Sequence, residues 1–184
     1  LAKQSKQWCS MVTRIDAHIG NLLAALEDPN GDGDTSDSVA HNTLVIFQSD
    51  NGGPSGSTIK ELQANGGLSG SKRSIMEGGI RVPTIMRWPA KITANSKLKA
   101  GTNSTLIMDC TDLLPTFCDL AGVPTPLGIG GVSLAPTLTG SAGQRQRDYL
   151  IHEAGRSASI IRGRYKFIRT RSTSAKAQKK KSSK

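Results

Sequence analysis

The stretch Thr43-Leu-Val-Ile-Phe47, cut off by Gln48-Ser-Asp-Asn-Gly-Gly-Pro54, constrains the fold of this 184-residue chain more than any other. A short continuous apolar run, β-branched and aromatic and bounded by polar turns, reads as a strand covered on both faces, as in the interior of a parallel sheet. Upstream, Trp8, Met11, Val12, Ile15, Ile19, Leu22, Leu23 and Leu26 recur at three- and four-residue steps. That spacing predicts one apolar stripe on a helix from about Lys6 to Glu27. A helix feeding a buried strand is half of a βαβ unit, so the expected class is α/β.

Beyond the strand, a Gly/Ser-rich loop is expected from Ser55 to Gly79. Ile80, Val82, Thr84, Met86 and Trp88 alternate and predict a second strand, with Pro83 at an edge or irregular position. Thr105 to Met108 predicts a further short strand. Asp112 as N-cap, Pro115 in the first turn and Gly122 as the stop frame a short helix. Ser159-Ile-Ile161 and Tyr165-Lys-Phe-Ile168, separated by Arg-Gly-Arg, predict a terminal antiparallel hairpin. No apolar run approaches the roughly 18 residues that span a bilayer.

The formal net charge of +10 looks like a nucleic-acid signal until it is located. Ten of the 24 Lys/Arg fall between Arg162 and Lys184, where no Asp or Glu occurs, and the other 14 balance 14 acidic residues. The basicity therefore belongs to the last strand and to the Ser/Ala/Lys tail from Ser172, which is expected to be disordered and solvated. Electrostatic contact of that tail with a polyanion is the sharper alternative. Three cysteines offer no disulfide framework and no zinc-ligand spacing; Cys110 and Cys118 lie in a segment that reads as buried.

Two places carry possible chemistry. Asp50 and Asn51 stand where the strand ends, the position at which ligands gather in open α/β sheets. A carboxylate and an amide oxygen are hard ligands for Ca²⁺ or Mg²⁺, and Gly52 and Gly53 permit a sharp turn and close backbone approach. The same residues also suit an ordinary Asx turn. Lys72, in Gly70-Ser-Lys-Arg-Ser-Ile-Met-Glu-Gly-Gly79, could meet an oxyanion as a compact charge or stand solvated at the surface. Asp28, Asn30, Asp32, Gly33, Asp34 and Ser36 imitate the start of a calcium loop, but the twelfth position is Val39 rather than a bidentate Glu. His18 reads as structural, and His152 reaches a pocket only if the fold brings it there.

In order and spacing, several of these segments resemble the sulfatase family of the alkaline phosphatase-like superfamily. They are Thr43 through Gly52, Gly70-Ser-Lys-Arg-Ser-Ile-Met-Glu-Gly-Gly-Ile-Arg-Val-Pro83, Arg87-Trp-Pro-Ala-Lys-Ile92, Asp112-Leu-Leu-Pro-Thr-Phe117, Ser133 through Gly140, and Arg162-Gly-Arg-Tyr-Lys-Phe167. The agreement runs from about Met11 to Arg169. It implies an α/β fold: a partial sulfatase-like sheet with flanking helices and a small C-terminal antiparallel hairpin. Residues 1–140 would be the C-terminal part of the catalytic domain, 141–171 a small β subdomain and 172–184 a basic tail.

The resemblance further implies metal-dependent cleavage of sulfate esters, with Ca²⁺ favoured over Mg²⁺. Asp50 and Asn51 would be late metal ligands, Lys72 would hold the sulfate oxygens, and Glu77 and Arg81 would tie down its loop. The substrate would be a sulfated small molecule or sulfated polysaccharide; neither nucleic acid nor membrane is an expected partner. Sulfatases attack with a formylglycine made within a C-x-P-S-R-type motif. Cys9 is followed by Ser10, Met11, Val12 and Thr13 on a helical stripe, so no catalytic nucleophile is assigned and one is expected upstream of Leu1. The expectation is a fragment inactive alone. A phosphoesterase of the same superfamily and a non-catalytic relic or polyanion-binding protein are the alternatives. Family habit implies a periplasmic or extracellular location, although no signal segment is visible.

Overall fold

A computed structural model describes residues 1–93 and 99–171. The expected basic tail, 172–184, lies outside the described residues. Helix α1 spans Lys3–Glu27, slightly longer than its apolar stripe predicts. Its start is tied down from a distance, since the Ala2 N–H donates to the Glu61 carboxylate at 3.0 Å. Its far end is held by Arg87, whose guanidinium meets the Glu27 carboxylate at 3.2 Å. Met11, Ile15 and Leu22 on the stripe nevertheless remain about half exposed, at 62%, 49% and 52%. His18 is exposed too, rather than packed.

Strand β1, Val45–Gln48, is half-buried along its length. Its one neighbour among the described residues is β2, Thr84–Arg87, and the pair is antiparallel, with Val45 opposite Arg87 and Gln48 opposite Thr84. The parallel neighbour expected from the apolar run is therefore not among the described residues. Continuous apolarity reports how much of a strand is covered, not the direction of what covers it. Strand β2 starts later than the alternation from Ile80 predicts. Residues Glu77–Ile80 instead form a single helical turn, α3. Pro83 has no N–H for a ladder, and its carbonyl accepts from the Ser49 N–H at 3.2 Å. Between the strands lies α2, Ser57–Leu62.

The tightest packing surrounds α4, Leu113–Ala121, and α5, Ala135–Thr139. Val132, Leu134, Leu138 and Cys118 are buried here together with two polar residues, Asp112 and Thr116. Asp112 precedes α4, but its carboxylate does not cap that helix. It accepts from the Val132 N–H at 2.6 Å and the Asp109 N–H at 2.8 Å, and it pairs with Arg147. Thr116 Oγ1 accepts from the Leu134 N–H at 2.9 Å and donates to the Asp112 carbonyl. The Asp112 and Thr116 side chains thus both find partners, as a low-dielectric interior requires. Gly122 ends α4 with φ 68°, the left-handed stop its sequence position predicts. Cys110 is exposed, against the expectation of burial, because it opens a 3₁₀ turn ahead of the helix. Thr105–Met108 forms no strand.

The chain closes with a three-stranded antiparallel sheet in the order β3, β4, β5, spanning Leu150–Ala154, Ser157–Arg162 and Tyr165–Thr170. The predicted hairpin is β4–β5; β3 is an additional strand. Cross-strand register gives the sheet two unlike faces. Leu150, Ser159 and Lys166 lie on the face turned to the body, and Ile151, Ile160 and Phe167 lie on the other.

Candidate functional site

The Asp50–Gly53 turn and the Lys72 loop are joined by backbone. The Lys72 N–H donates to the Gly53 carbonyl at 2.9 Å, and the Gly52 N–H donates to the Gly79 carbonyl at 2.9 Å. Asn65 bridges the same two segments, accepting from the Gly53 N–H at 2.7 Å and donating to the Gly70 carbonyl at 2.9 Å. These contacts leave no room for side chains. A Cβ on Gly52 would stand 1.8 Å from the Gly78 carbonyl oxygen, and one on Gly79 would stand 2.2 Å from that of Ser74. Gly52 and the Glu-Gly-Gly triplet thus serve close packing of main chains rather than a left-handed turn.

Lys72 sits at the corner of a β-turn closed by the Ser74 N–H on the Ser71 carbonyl, 2.9 Å. Arg73 occupies the next corner with φ 74°, a conformation costly for a residue with a Cβ. Ile75 anchors the loop by burying its side chain. From the C-terminal sheet, Lys166 Nζ reaches over to donate to the Ile75 carbonyl at 2.5 Å and the Glu77 carboxylate at 2.9 Å. Glu77 therefore does tie down the loop, through an ion pair with Lys166. Arg81 contributes its N–H to the Glu77 carbonyl at 2.8 Å.

Asn51, Lys72 and His152 line one open cleft of about 430 Å³. Asp50 stands beside it on the exposed turn. The Asn51 amide donates through Nδ2 to the Gly52 carbonyl at 3.0 Å, leaving Oδ1 as its ligating atom. A larger cleft, about 530 Å³, lies between Trp88, Asp119 and Pro136, away from these residues.

His152 is the residue sequence reasoning undervalued. Strand β3, which carries it, has only a short mixed apolar pattern, so its side-chain direction had no signal. Its Nε2 lies 3.8 Å from the Asp109 carboxylate, and its Nδ1 is buried with no partner among the described residues. Burial pushes the imidazole pKa below its ordinary value; Asp109 and Glu77 oppose that shift and Lys166 adds to it. Burial would raise the Asp109 pKa, but hydrogen bonds from Thr111 and the charges of His152 and Arg147 outweigh it, so the carboxyl lies below its usual range.

Hard oxygen donors at Asp50 and Asn51 suit a Ca²⁺ or Mg²⁺ ion, but six to eight oxygens surround Ca²⁺. Among the described residues no group of three or more His, Cys, Asp or Glu is placed to hold a metal. Asp50 and Asn51 alone supply too few oxygens to complete such a shell. In the calcium-like loop the carboxylates are taken up locally: Asp28 accepts from Gly31 and Gly33, Asp32 from Asp34, and Asp34 from Ser36.

The turn bearing Asp50 and Asn51 and the loop bearing Lys72 are thus fastened together at the end of strand β1, the place where ligands gather in α/β sheets. The sulfatase family model matches residues 4–123, and the chain belongs to the sulfatase family. A sulfatase of Formosa agariphila is 42% identical over 119 residues, 65% of this chain and 20% of that protein. Human steryl-sulfatase is 31% identical across 82% of this chain and 24% of its own length. Human N-acetylgalactosamine-6-sulfatase is 34% identical across 73% of this chain and 24% of its own. The solved structure of BT1596, a 2-O GAG sulfatase, superposes with a TM-score of 0.52 at 27% identity, covering 71% of this chain and 27% of that one. The fold is accordingly part of the alkaline phosphatase-like fold of sulfatases, and the described residues close with an antiparallel sheet. The chain spans about a fifth to a quarter of the length of these relatives.

Proposed function

We propose that this chain supplies the sulfate-holding lysine and part of the divalent-metal site of a sulfuric-ester hydrolase, and that the attacking group is not among its 184 residues. The observation that carries this reading is the 2.9 Å hydrogen bond from the Lys72 N–H to the Gly53 carbonyl. It fastens the oxyanion-binding cation to the turn that bears Asp50 and Asn51.

In that role the Lys72 ammonium offers three donors to the sulfate oxygens and neutralises charge that grows on them as the ester bond breaks. Asp50 and Asn51 Oδ1 would hold part of a divalent ion, Ca²⁺ in preference to Mg²⁺, whose contribution is Lewis-acid polarisation of the sulfate. His152, kept neutral near pH 7 by burial, offers a ring nitrogen that accepts a hydrogen bond or holds a proton at the cleft wall, with the Asp109 carboxylate 3.8 Å from its Nε2. The substrate class is a sulfated small molecule or polysaccharide, encountered in the periplasm or outside the cell. The chain alone is expected not to turn over aryl sulfates.

Calorimetric titration of inorganic sulfate in Ca²⁺-containing buffer tests the anion site. Lys72→Ala should weaken binding about 10-fold or more, the worth of one charge-assisted hydrogen bond. Equal affinity in both proteins, with unchanged circular dichroism, would remove Lys72 from the proposal. Tighter binding of phosphate than sulfate would favour the phosphoesterase reading.

A further inference from the structure

Lys166 lies far along the chain from the Lys72 loop, yet its ammonium is committed to that loop. Nζ donates to the Ile75 carbonyl, 91 residues away in sequence, and to the Glu77 carboxylate, 89 residues away. Of the described residues lining the cleft, Lys166 is not one, and two of its three N–H donors are already placed. Ile75 lies three residues beyond Lys72 and is 6% exposed. Farther on, the Gly78 N–H closes the loop on the Ser69 carbonyl at 2.7 Å, and the Gly79 carbonyl takes the Gly52 N–H of the Asp50–Gly53 turn. Lys166 therefore grips the chain between Lys72 and that bond. Residues 69–76 form neither helix nor strand, and they hold Arg73 at φ 74°. A backbone of that kind persists only where its surroundings fix it.

We propose that Lys166 is a positioning residue for anion capture: from the C-terminal sheet it fixes the seat of the loop that presents Lys72. A partly exposed Lys–Glu pair by itself contributes little. The Ile75 carbonyl makes the difference, because a bond to main chain fixes where the loop backbone runs. With partners on both sides of Met76, one ammonium holds that segment at two points. The register carries the argument to the sheet as a whole. Lys166 pairs with Ile161, itself opposite Leu150, and His152 stands in the next row of the same face, opposite Ser159. The face that brings His152 to the cleft thus also brings Lys166 to the loop. The effect on sulfate rests on the reading of Lys72 given above; the bracing of the loop does not.

The test combines hydrogen exchange and calorimetry on the full chain. In Lys166→Met, exchange of the Lys72, Ser74 and Gly78 amides should quicken about 5-fold or more, with β3, β4 and α4 unchanged. Lys166→Arg, which still donates, should restore most of that protection. In Ca²⁺-containing buffer, Lys166→Met should weaken inorganic sulfate binding at least about 3-fold. The double variant Lys72→Ala/Lys166→Met should lose no more than Lys72→Ala alone, since a residue that acts through Lys72 has nothing left to place once Lys72 is gone. Additive losses would make Lys166 a direct anion contact and overturn the positioning role. Unchanged exchange at the three amides would overturn it too, as would quickening spread evenly over the chain. Should Lys166→Met fail to fold, Glu77→Gln, which keeps an acceptor oxygen and loses the charge, carries the same test at smaller size. If Lys72→Ala weakens sulfate binding and Lys166→Met does not, this proposal falls while the reading of Lys72 stands. If the unaltered chain binds sulfate no better than Lys72→Ala, the reading of Lys72 falls, and exchange at the three amides alone decides whether Lys166 holds the loop.

Discussion

The Asp50–Ile80 segment and the β3–β5 sheet hold their shapes by opposite means. The sheet is a regular ladder of cross-strand pairs, in which each side chain can be changed and the backbone register survives. Residues 50–80 contain only two short helices, and their geometry depends on main chains meeting where no side chain exists. The candidate site lies in the second kind of structure. A segment held this way tolerates alteration of its exposed side chains but not the addition of a single methyl group at a contact.

Gly52→Ala is the strongest way to break that contrast. Its Cβ would collide with backbone, so a loss of about 3 kcal/mol is expected, read as a fall in the urea midpoint. Gly130→Ala, where a Cβ meets nothing within 4 Å, should change stability by less than about 0.5 kcal/mol. Equal effects would show that the close approach at Gly52 is not what holds the turn.

Lys166→Met addresses a link between the two regions. It removes a charged hydrogen bond to the Ile75 carbonyl and a pair with the partly exposed Glu77, so about 1–2 kcal/mol is expected. Amide hydrogen exchange should quicken at residues 69–79 and stay unchanged in β3–β4. Uniform quickening would mean that the regions unfold as one.

A smaller gain is expected from Arg73→Gly, which relieves the left-handed backbone beside Lys72 by about 1 kcal/mol. Thermal unfolding checks it, and a loss of stability would indicate that the Arg73 side chain contributes more than its backbone costs. The smallest effect concerns pH. The folded His152 pKa lies below the unfolded value, so the unfolded chain binds the proton more readily between the two. This stabilising contribution is present above about pH 6.5 and is lost as pH falls through the folded value. His152→Gln should narrow the difference between urea midpoints at pH 7.5 and pH 5; an unchanged difference would assign the acid sensitivity elsewhere.

The same contrast governs what could be read from the sequence. Helix α1 was legible because its apolar residues repeat at 3.6-residue spacing, and Gly122 and the β4–β5 turn carry residue types with one structural use. Strand β3 was not, because Leu150-Ile-His-Glu-Ala is short and its pairing with β4 is set by tertiary position. Thr105–Met108 has strand-forming residues but gains no partner strand, and propensity alone does not make one. At the site, Asp50, Asn51 and Lys72 were found through motif order. The arrival of His152 and Lys166 from about 80 to 100 residues away had no local signature.

The glycine contacts also bear on how such a protein can diversify. The separation between the oxygen-bearing turn and Lys72 is fixed by carbonyl and amide atoms that every amino acid shares. In the proposed role of Lys72, exchange of Arg73, Ser74 or Ile151 at the cleft wall would then alter the shape of the cleft without altering that separation. The shape of the cleft is written in side chains, and the spacing between its two segments in their absence.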